Sequence, residues 1–431
     1  MAGVDAIVLG AGIVGTSIAT HLAKRGLEVA LVDRGPPGGG TSYGNAGIIV
    51  GDTDFPPAFP REWAEFLRVA LKRSPKVNYH FSFLPKIAPW LAAFYAASRP
   101  SRLVETVQLM RPLMTRAVAE HETLSKEAGS ERYLRRTGWL KLYRTDRGSA
   151  AQARELELAR DFGIANVALD RDEARALEPS LAPVFRHAVH WTGAVSVSNP
   201  LALTQAYAGR FAALGGLVHS GDARSLHRVD PHWRVDTTGG PVDARDVVVA
   251  LGPWAPDVLS PLGIRLPLAV ERGYHLHFRA ERHAALSRPV LDAENGYYFA
   301  PMEQGIRITT GAEFAERDAP PTPVQFDRLL PAARGLFALG EPVEPQPWMG
   351  ARPCFADSRP VIGPAPRHQG LWLAYGHGHW GLTLGPATGR LIAEMITGNT
   401  PFCDPAPYSA DRFADLSRKA RLAHSTASSR P

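Results

Sequence analysis

Three glycines and one acid open the chain with a spacing that suits one kind of chemistry. Gly10, Gly12 and Gly15 form Gly-x-Gly-x-x-Gly, preceded by an apolar run from Val4 to Leu9 and followed by a helical stretch through Ala19, Leu22 and Ala23 to Gly26. The segment LEVALVD then reads as a second strand ending in Asp33, 23 positions beyond Gly10. Gly10 permits a tight turn, Gly12 lets backbone approach a pyrophosphate seated on the positive end of the helix, and Gly15 lets helix pack on strand. Asp33 is placed to bond ribose hydroxyls, so the unit reads as a dinucleotide-binding βαβ. A glycine-rich turn of an unrelated fold would lack the strand, helix, second strand and acid together. The motif does not separate NAD from FAD.

The elements that must hold such a site fit an ordinary folded chain. With 431 residues, 45% hydrophobic and 21% charged, it has room for two or three units with large cores, and disorder, coiled coil and collagen-like repeats are excluded. Cys354 and Cys403 stand far apart with no metal-ligand spacing, which excludes a disulfide scaffold and a thiolate metal centre; no metal is expected. The net charge of +6 is modest and scattered, so no nucleic-acid partner is expected. The apolar stretch from Ile87 to Ala97 is too short to cross a bilayer. The N-terminus lacks the basic region of a signal peptide, and the chain is expected in the cytoplasm.

Further along, the stretch from Asp52 to Arg102 is Pro-rich, aromatic and basic, and reads as helices covering a second unit, broken at Pro75, Pro85 and Pro89, or as a membrane-surface segment. GWLKLYRT (138–145) reads as a strand, and the segment from Asp146 to Gly163 as a helix. Asn199, Pro200 and Gly215 punctuate another helix as N-cap, first residue and stop. DVVVALGPWA (246–255) is a buried-type strand, and GYHLHF, GYYFAP and GIRITTGAEF form an antiparallel cluster. LWLAYGHGHWGLTLGPATGRLIAEMITG combines strand, glycine-rich loop and helix. From Ser417 the chain is basic and Ser-rich and reads as a frayed end.

Taken together, these segments resemble a known family, the D-amino acid oxidase-like flavoproteins, which include D-amino acid dehydrogenases, glycine oxidase and sarcosine oxidases. The resemblance runs from Ala6 to about Gly398 through VLGAGIVGTSIATHLAKRG, LVDR, GTSYGNAG, GWLKLYRT, NPLALTQAYA, VVVALGPWA, ERGYHLHF, TTGAEF, WMGARPCFADSRPVIG and YGHGHWGLTLGPATGRLIAEMITG, in that order. SYGNAG and GHGHWGLT are most similar to the dehydrogenase branch. The implied fold is α/β and α+β: a discontinuous Rossmann-like FAD-binding domain (1–55, 146–262 and 345–431) and a substrate domain (56–145 and 263–344) on a large, mostly antiparallel sheet.

The resemblance implies FAD, and specific residues around it. Ile13, Val14 and Arg34 join the motif residues at the dinucleotide. Ser42 and the turn of Asn45, Ala46, Gly47 and Ile48 lie beside the pyrophosphate and isoalloxazine. Ala223 stands where the family usually has a valine whose backbone meets adenine, and Ala250, Gly252 and Trp254 pack nearby. Gly378, His379, Gly381, Leu382 and Thr383 belong to the loop over the flavin. Arg352 matches the arginine that grips a substrate carboxylate through a bidentate fork. His377 and Tyr274 are candidate substrate contacts, each with packing as the competing role. Asp33 replaces the commoner glutamate. Cys354 is offset from the flavin-linking cysteine of sarcosine oxidases, so the FAD is expected to be non-covalent.

The implied activity is oxidative deamination of a small amino acid of D configuration, with a quinone, an electron-transfer chain or oxygen as acceptor and peripheral contact with the inner face of the membrane. Glycine, sarcosine or hydroxyproline turnover, a non-catalytic flavin-binding assembly role and an NAD-dependent dehydrogenase are the alternatives. Arg352 argues against the assembly role, which has no use for a carboxylate clamp.

Overall fold

The computed structural model describes residues 3–52, 55–60 and 63–414; the tail read from Ser417 lies outside them. In chain order the elements that frame the site are β1 (Gly3–Leu9), α1 (Ile13–Ala23), β2 (Val29–Asp33), α2 (Trp63–Ala70), α3 (Leu84–Ala97), α4 (Pro100–Glu127), β3 (Gly240–Val249), β4 (Leu268–Ala280), β5 (Gly305–Thr309), β6 (Trp348–Phe355), β7 (Leu371–Tyr375) and α5 (Gly381–Ile396).

The apolar run before the glycine motif is the central strand of the first sheet. β1 pairs in parallel with β2, Ala6 opposite Val29, and with β3, Ala6 opposite Asp246. β7 adds to β3 in parallel, and Leu217–Ser220 adds to β2. Ile7, Val8 and Leu9, Ala30 to Val32 and Val247 to Val249 are buried on both faces, which is why these strands read as unbroken apolar runs. α1 and α5 pack together on one face. A Cβ at Gly389 would lie 2.7 Å from the Ser17 carbonyl carbon, so α5 reaches α1 only because it carries glycine there.

The second sheet has eleven strands among the described residues and is mostly antiparallel. β4 is its long axis. It pairs with β5 through His277 opposite Arg307 and with β6 through Glu271 opposite Arg352. One face is the apolar core of Tyr274, Leu276, Phe278, Phe299 and Ile308; the other looks toward the ends of β1, β2 and β3.

Two expectations change. The strands Asn166–Asp170 and His187–Trp191 belong to the large sheet, as does β6, so the expected FAD-binding blocks 146–262 and 345–431 each donate strands to the substrate sheet. Two-residue alternation looks the same in either sheet, and only pairing assigns it. Pro89 does not end its helix: α3 runs through it, because a proline one turn inside a helix removes one hydrogen bond without removing the apolar anchors Ile87 and Trp90. Trp90, in the aromatic stretch read as covering helices or a membrane surface, is buried as a covering helix requires and donates its indole N–H to the Cys354 carbonyl at 3.1 Å. The capping expectation holds: Asn199 accepts from the Ala202 N–H at 3.0 Å at the start of helix Pro200–Ala213.

Candidate active site

A cleft of about 470 Å³ opens where β1, β2 and β3 end and runs to the face of the large sheet. Crevices at the carboxyl ends of parallel strands are the usual ligand sites of such sheets. Gly10, Gly12, Ile13, Val14, Asp33, Arg34, Ser42, Asn45, Ala223, Ala250, Gly252, Trp254, Gly378, His379, Gly381 and Leu382 all line it. Sequence positions from 10 to 382 thus meet on one wall.

The glycine motif builds the near end. Gly10 sits at φ +104°, and a Cβ there would lie 2.6 Å from the Ala250 carbonyl oxygen, so strand-to-helix crossover beside β3 requires glycine. Gly15 does not line the cleft; a side chain there would collide with the Gly10 carbonyl. Asp33 accepts from the Ala11 N–H at 2.7 Å and from the Gly35 N–H at 3.1 Å, tying the acid to the turn. The Ser42 hydroxyl accepts from the Ile13 N–H at 2.9 Å. This hydroxyl caps the positive end of α1 and keeps its own proton to donate to an anion.

Ala46, Gly47, Ile48 and Thr383 stand behind the lining. The Asn45 side chain accepts from the Gly47 N–H at 2.8 Å and donates to the Ser42 carbonyl at 2.7 Å, closing the turn on itself. The Thr383 hydroxyl donates to the Ile48 carbonyl at 3.2 Å and accepts from the Val50 N–H at 3.3 Å. These residues shape the loop rather than the wall.

At the far end the register of β4 on β6 decides the chemistry. Opposed residues of antiparallel strands share a face, so Glu271, Gly273 and His275 stand with Arg352, Gly350 and Trp348 toward the cleft. Arg352 lies flat across Gly273: a Cβ there would come 2.5 Å from Nη2, 2.6 Å from Nη1 and 2.8 Å from Cζ. Its guanidinium donates to the Gly311 carbonyl at 3.3 Å and the Thr310 carbonyl at 3.4 Å. No described carboxylate forms an ion pair with it, leaving a cation aimed into the cleft. The Trp348 indole covers Gly350 and Gly44 and stacks on His275, ring centroids 4.9 Å apart.

The same parity sends Tyr274 away. Its side chain lies on the opposite face of β4, where the hydroxyl donates to Glu313 Oε2 at 2.6 Å and accepts from Arg272 Nη2 and the Thr322 N–H, both at 2.8 Å. Tyr274 is therefore corrected from a substrate contact to a member of a buried ion-pair network. His377 lines the cleft, but its Nε2 is 3.0 Å from the Thr388 hydroxyl inside α5. Burial lowers its pKa to about 3, which favours a neutral imidazole near neutral pH.

His379, at the rim, is 3.1 Å from Glu271. Burial works to raise the Glu271 pKa, but the His379 hydrogen bond and the His379 and Arg352 charges outweigh it and hold the carboxyl below its usual value. Burial, with Glu271 next, pushes the Cys354 thiol well up, so it is protonated and a poor nucleophile. Sequence reasoning missed Trp348, Gly273 and Gly350. The available signal was the alternation of large and small residues in Trp348-x-Gly350-x-Arg352 against Glu271-x-Gly273-x-His275.

The family model for FAD dependent oxidoreductases matches residues 5–395. The chain is 29% identical to a D-amino-acid oxidase of Bradyrhizobium diazoefficiens over 94% of this chain and 98% of that one. It is 31% identical to a D-amino acid dehydrogenase of Cereibacter sphaeroides over 97% of each. Among solved structures, glycine oxidase from Geobacillus kaustophilus superposes with a TM-score of 0.73 at 26% identity, covering 95% of this chain and 98% of that one.

Proposed function

Because this chain belongs to the FAD-dependent oxidoreductase family, we propose that it oxidises a small D-amino acid to the imine, which water converts to a 2-oxo acid and ammonia. The cofactor is FAD, and the cleft suits it: a helix N-terminus capped by a hydroxyl that can donate, glycine at the close approach to β3, and a long wall leading to a cationic end. When bound, FAD supplies the two-electron acceptor that takes hydride from the substrate α-carbon.

The observation that carries the reading is Arg352, a guanidinium laid over Gly273 whose hydrogen-bond partners among the described residues are two carbonyls. Its fork holds a planar carboxylate, fixing the α-carbon along the cleft; Trp348 closes over the sheet and excludes water. No side chain is required to remove a proton from carbon. The amine must be neutral, and the His379–Glu271 pair stands next to Arg352, with Glu271 opposite it in register. Anaerobic mixing of the yellow protein with D- and L-amino acids, glycine, sarcosine and hydroxyprolines tests the proposal. Fast bleaching by D-amino acids supports it; bleaching confined to another group replaces the substrate.

For the acceptor, we read a quinone at an anionic membrane surface. α2 buries none of its residues, with Trp63 78% exposed and Phe66 and Leu67 exposed; Leu71 and Phe81 beyond it are exposed as well. Arg68 and Arg73 stand among them, and Lys72 lies over the Phe81 ring. An apolar face edged with cations suits an anionic interface. No helix among the described residues is long and apolar enough to cross a membrane. Replacing Trp63 and Phe66 with Ser should abolish co-sedimentation with anionic vesicles at low salt; equal sedimentation of both proteins would refute it.

A further inference from the structure

We propose that Arg307 is a positioning residue for FAD binding, holding the cleft turn at residues 42–46 through a relay that begins at Glu344. Arg307 is 1% exposed. From β5 it donates Nη1 to the carbonyls of Tyr43 at 2.8 Å and Asn45 at 2.9 Å, and its guanidinium lies 5.1 Å from the Tyr43 ring centroid. It joins the Thr41 hydroxyl, which donates to the Ala351 carbonyl at 2.8 Å, and the Trp348 ring over Gly44 in fastening this loop of the nucleotide-binding wall to the large sheet. Thr41, Ser42, Gly44 and Asn45 of that loop line the cleft, and Ser42 in turn caps α1 at Ile13.

The relay behind Arg307 fixes its direction. Arg307 Nε donates to His277 Nε2 at 2.9 Å, so that nitrogen is an acceptor and the imidazole proton sits on Nδ1. Nδ1 then donates to Glu344 Oε1 at 2.5 Å, while the His277 backbone N–H donates to Oε2 at 3.0 Å. A neutral imidazole thus connects a buried cation to a carboxylate it does not touch, and Arg307 is spared a direct carboxylate partner that would turn it from the loop. Burial, with the Arg307 charge next, lowers the His277 pKa and favours this neutral form.

The consequence for the cofactor follows from peptide geometry. In a trans peptide the N–H points opposite to the preceding C=O. Aiming the Asn45 carbonyl at Arg307 therefore turns the Ala46 N–H away from the sheet, and that N–H donates to no described residue. Arg307 thus fixes the 45–46 peptide one residue behind the Asn45 wall and leaves its N–H for an acceptor that the described residues do not provide. Such a residue acts on FAD affinity rather than on the substrate.

The test is titration of apoprotein with FAD, followed by quenching of flavin fluorescence, alongside apoprotein melting. Arg307→Met should weaken FAD binding roughly tenfold or more, as expected for loss of charged hydrogen bonds to two carbonyls. His277→Gln places an amide oxygen near the Nε2 position and should keep affinity close to wild type. His277→Asn reaches only the Nδ1 position and should behave like Arg307→Met. Amide exchange at 43–47 in the apoprotein should quicken in the two weak binders while the β1–β3 sheet stays protected. Wild-type affinity in Arg307→Met overturns the proposal. So does a fall in affinity that merely follows melting temperature across the set, with Gln and Asn alike at 277; these two variants decide the matter if Arg307→Met fails to fold.

Discussion

Gly273→Ala isolates the carboxylate clamp without removing a charge. The added Cβ would lie 2.5 to 2.8 Å from three atoms of the Arg352 guanidinium, against the 3.5 to 4.0 Å of an ordinary carbon contact. Relief requires the guanidinium to lift by about 1 Å, which a long side chain achieves at little folding cost. The anion it grips must then move or lose its second hydrogen bond. A misplacement of about 1 Å costs about a hundredfold in rate, near 2.7 kcal/mol at about 1.36 kcal/mol per tenfold. The assay is anaerobic stopped-flow bleaching against substrate concentration, with flavin content and melting measured in parallel. The variant should retain FAD and melt within a few degrees of wild type while the reduction rate at low substrate falls about a hundredfold. Unchanged reduction in a fully loaded variant would show that Arg352 over Gly273 is not the substrate anchor.

Arg352→Ala should lose about 2–5 kcal/mol of substrate binding with FAD retained, and Arg352→Lys should recover only part, read as apparent affinity in the same bleaching assay. Tyr274→Phe should leave substrate affinity alone and lower stability by about 1–3 kcal/mol in urea titration, since it strips a buried carboxylate and guanidinium of a shared hydroxyl. Burial holds His21 and His377 at pKa about 3 and His121 at about 4, against 6.5 unfolded. Folded pKa values below the unfolded value mean stability is lost as pH falls through 6.5 toward 4. At pH 5 each of these costs about 2 kcal/mol relative to neutral pH, and His377→Gln should remove one such share from the pH dependence of the urea midpoint.

The glycine motif, Asp33, the Asn199 cap and the buried runs of β1, β2 and β3 were legible because each depends on residues within a turn or a strand of one another. Arg352 was legible through a motif, and the cleft collects most of the cofactor residues that the resemblance implied. The rest depended on pairing between distant segments. A strand carries a two-residue period but not its parity relative to a partner, and a one-residue change in register exchanges the faces. That parity places Gly273 under Arg352 and Tyr274 behind the sheet, where the sequence had pointed to the tyrosine. Sheet membership of 166–170 and 187–191, the burial of Trp90 beside an exposed Trp63, and the reach of Arg307 to Tyr43 and Asn45 arise in the same way. Local chemistry is written along the chain, whereas the face a side chain presents and the partner it meets are settled by contacts hundreds of residues apart.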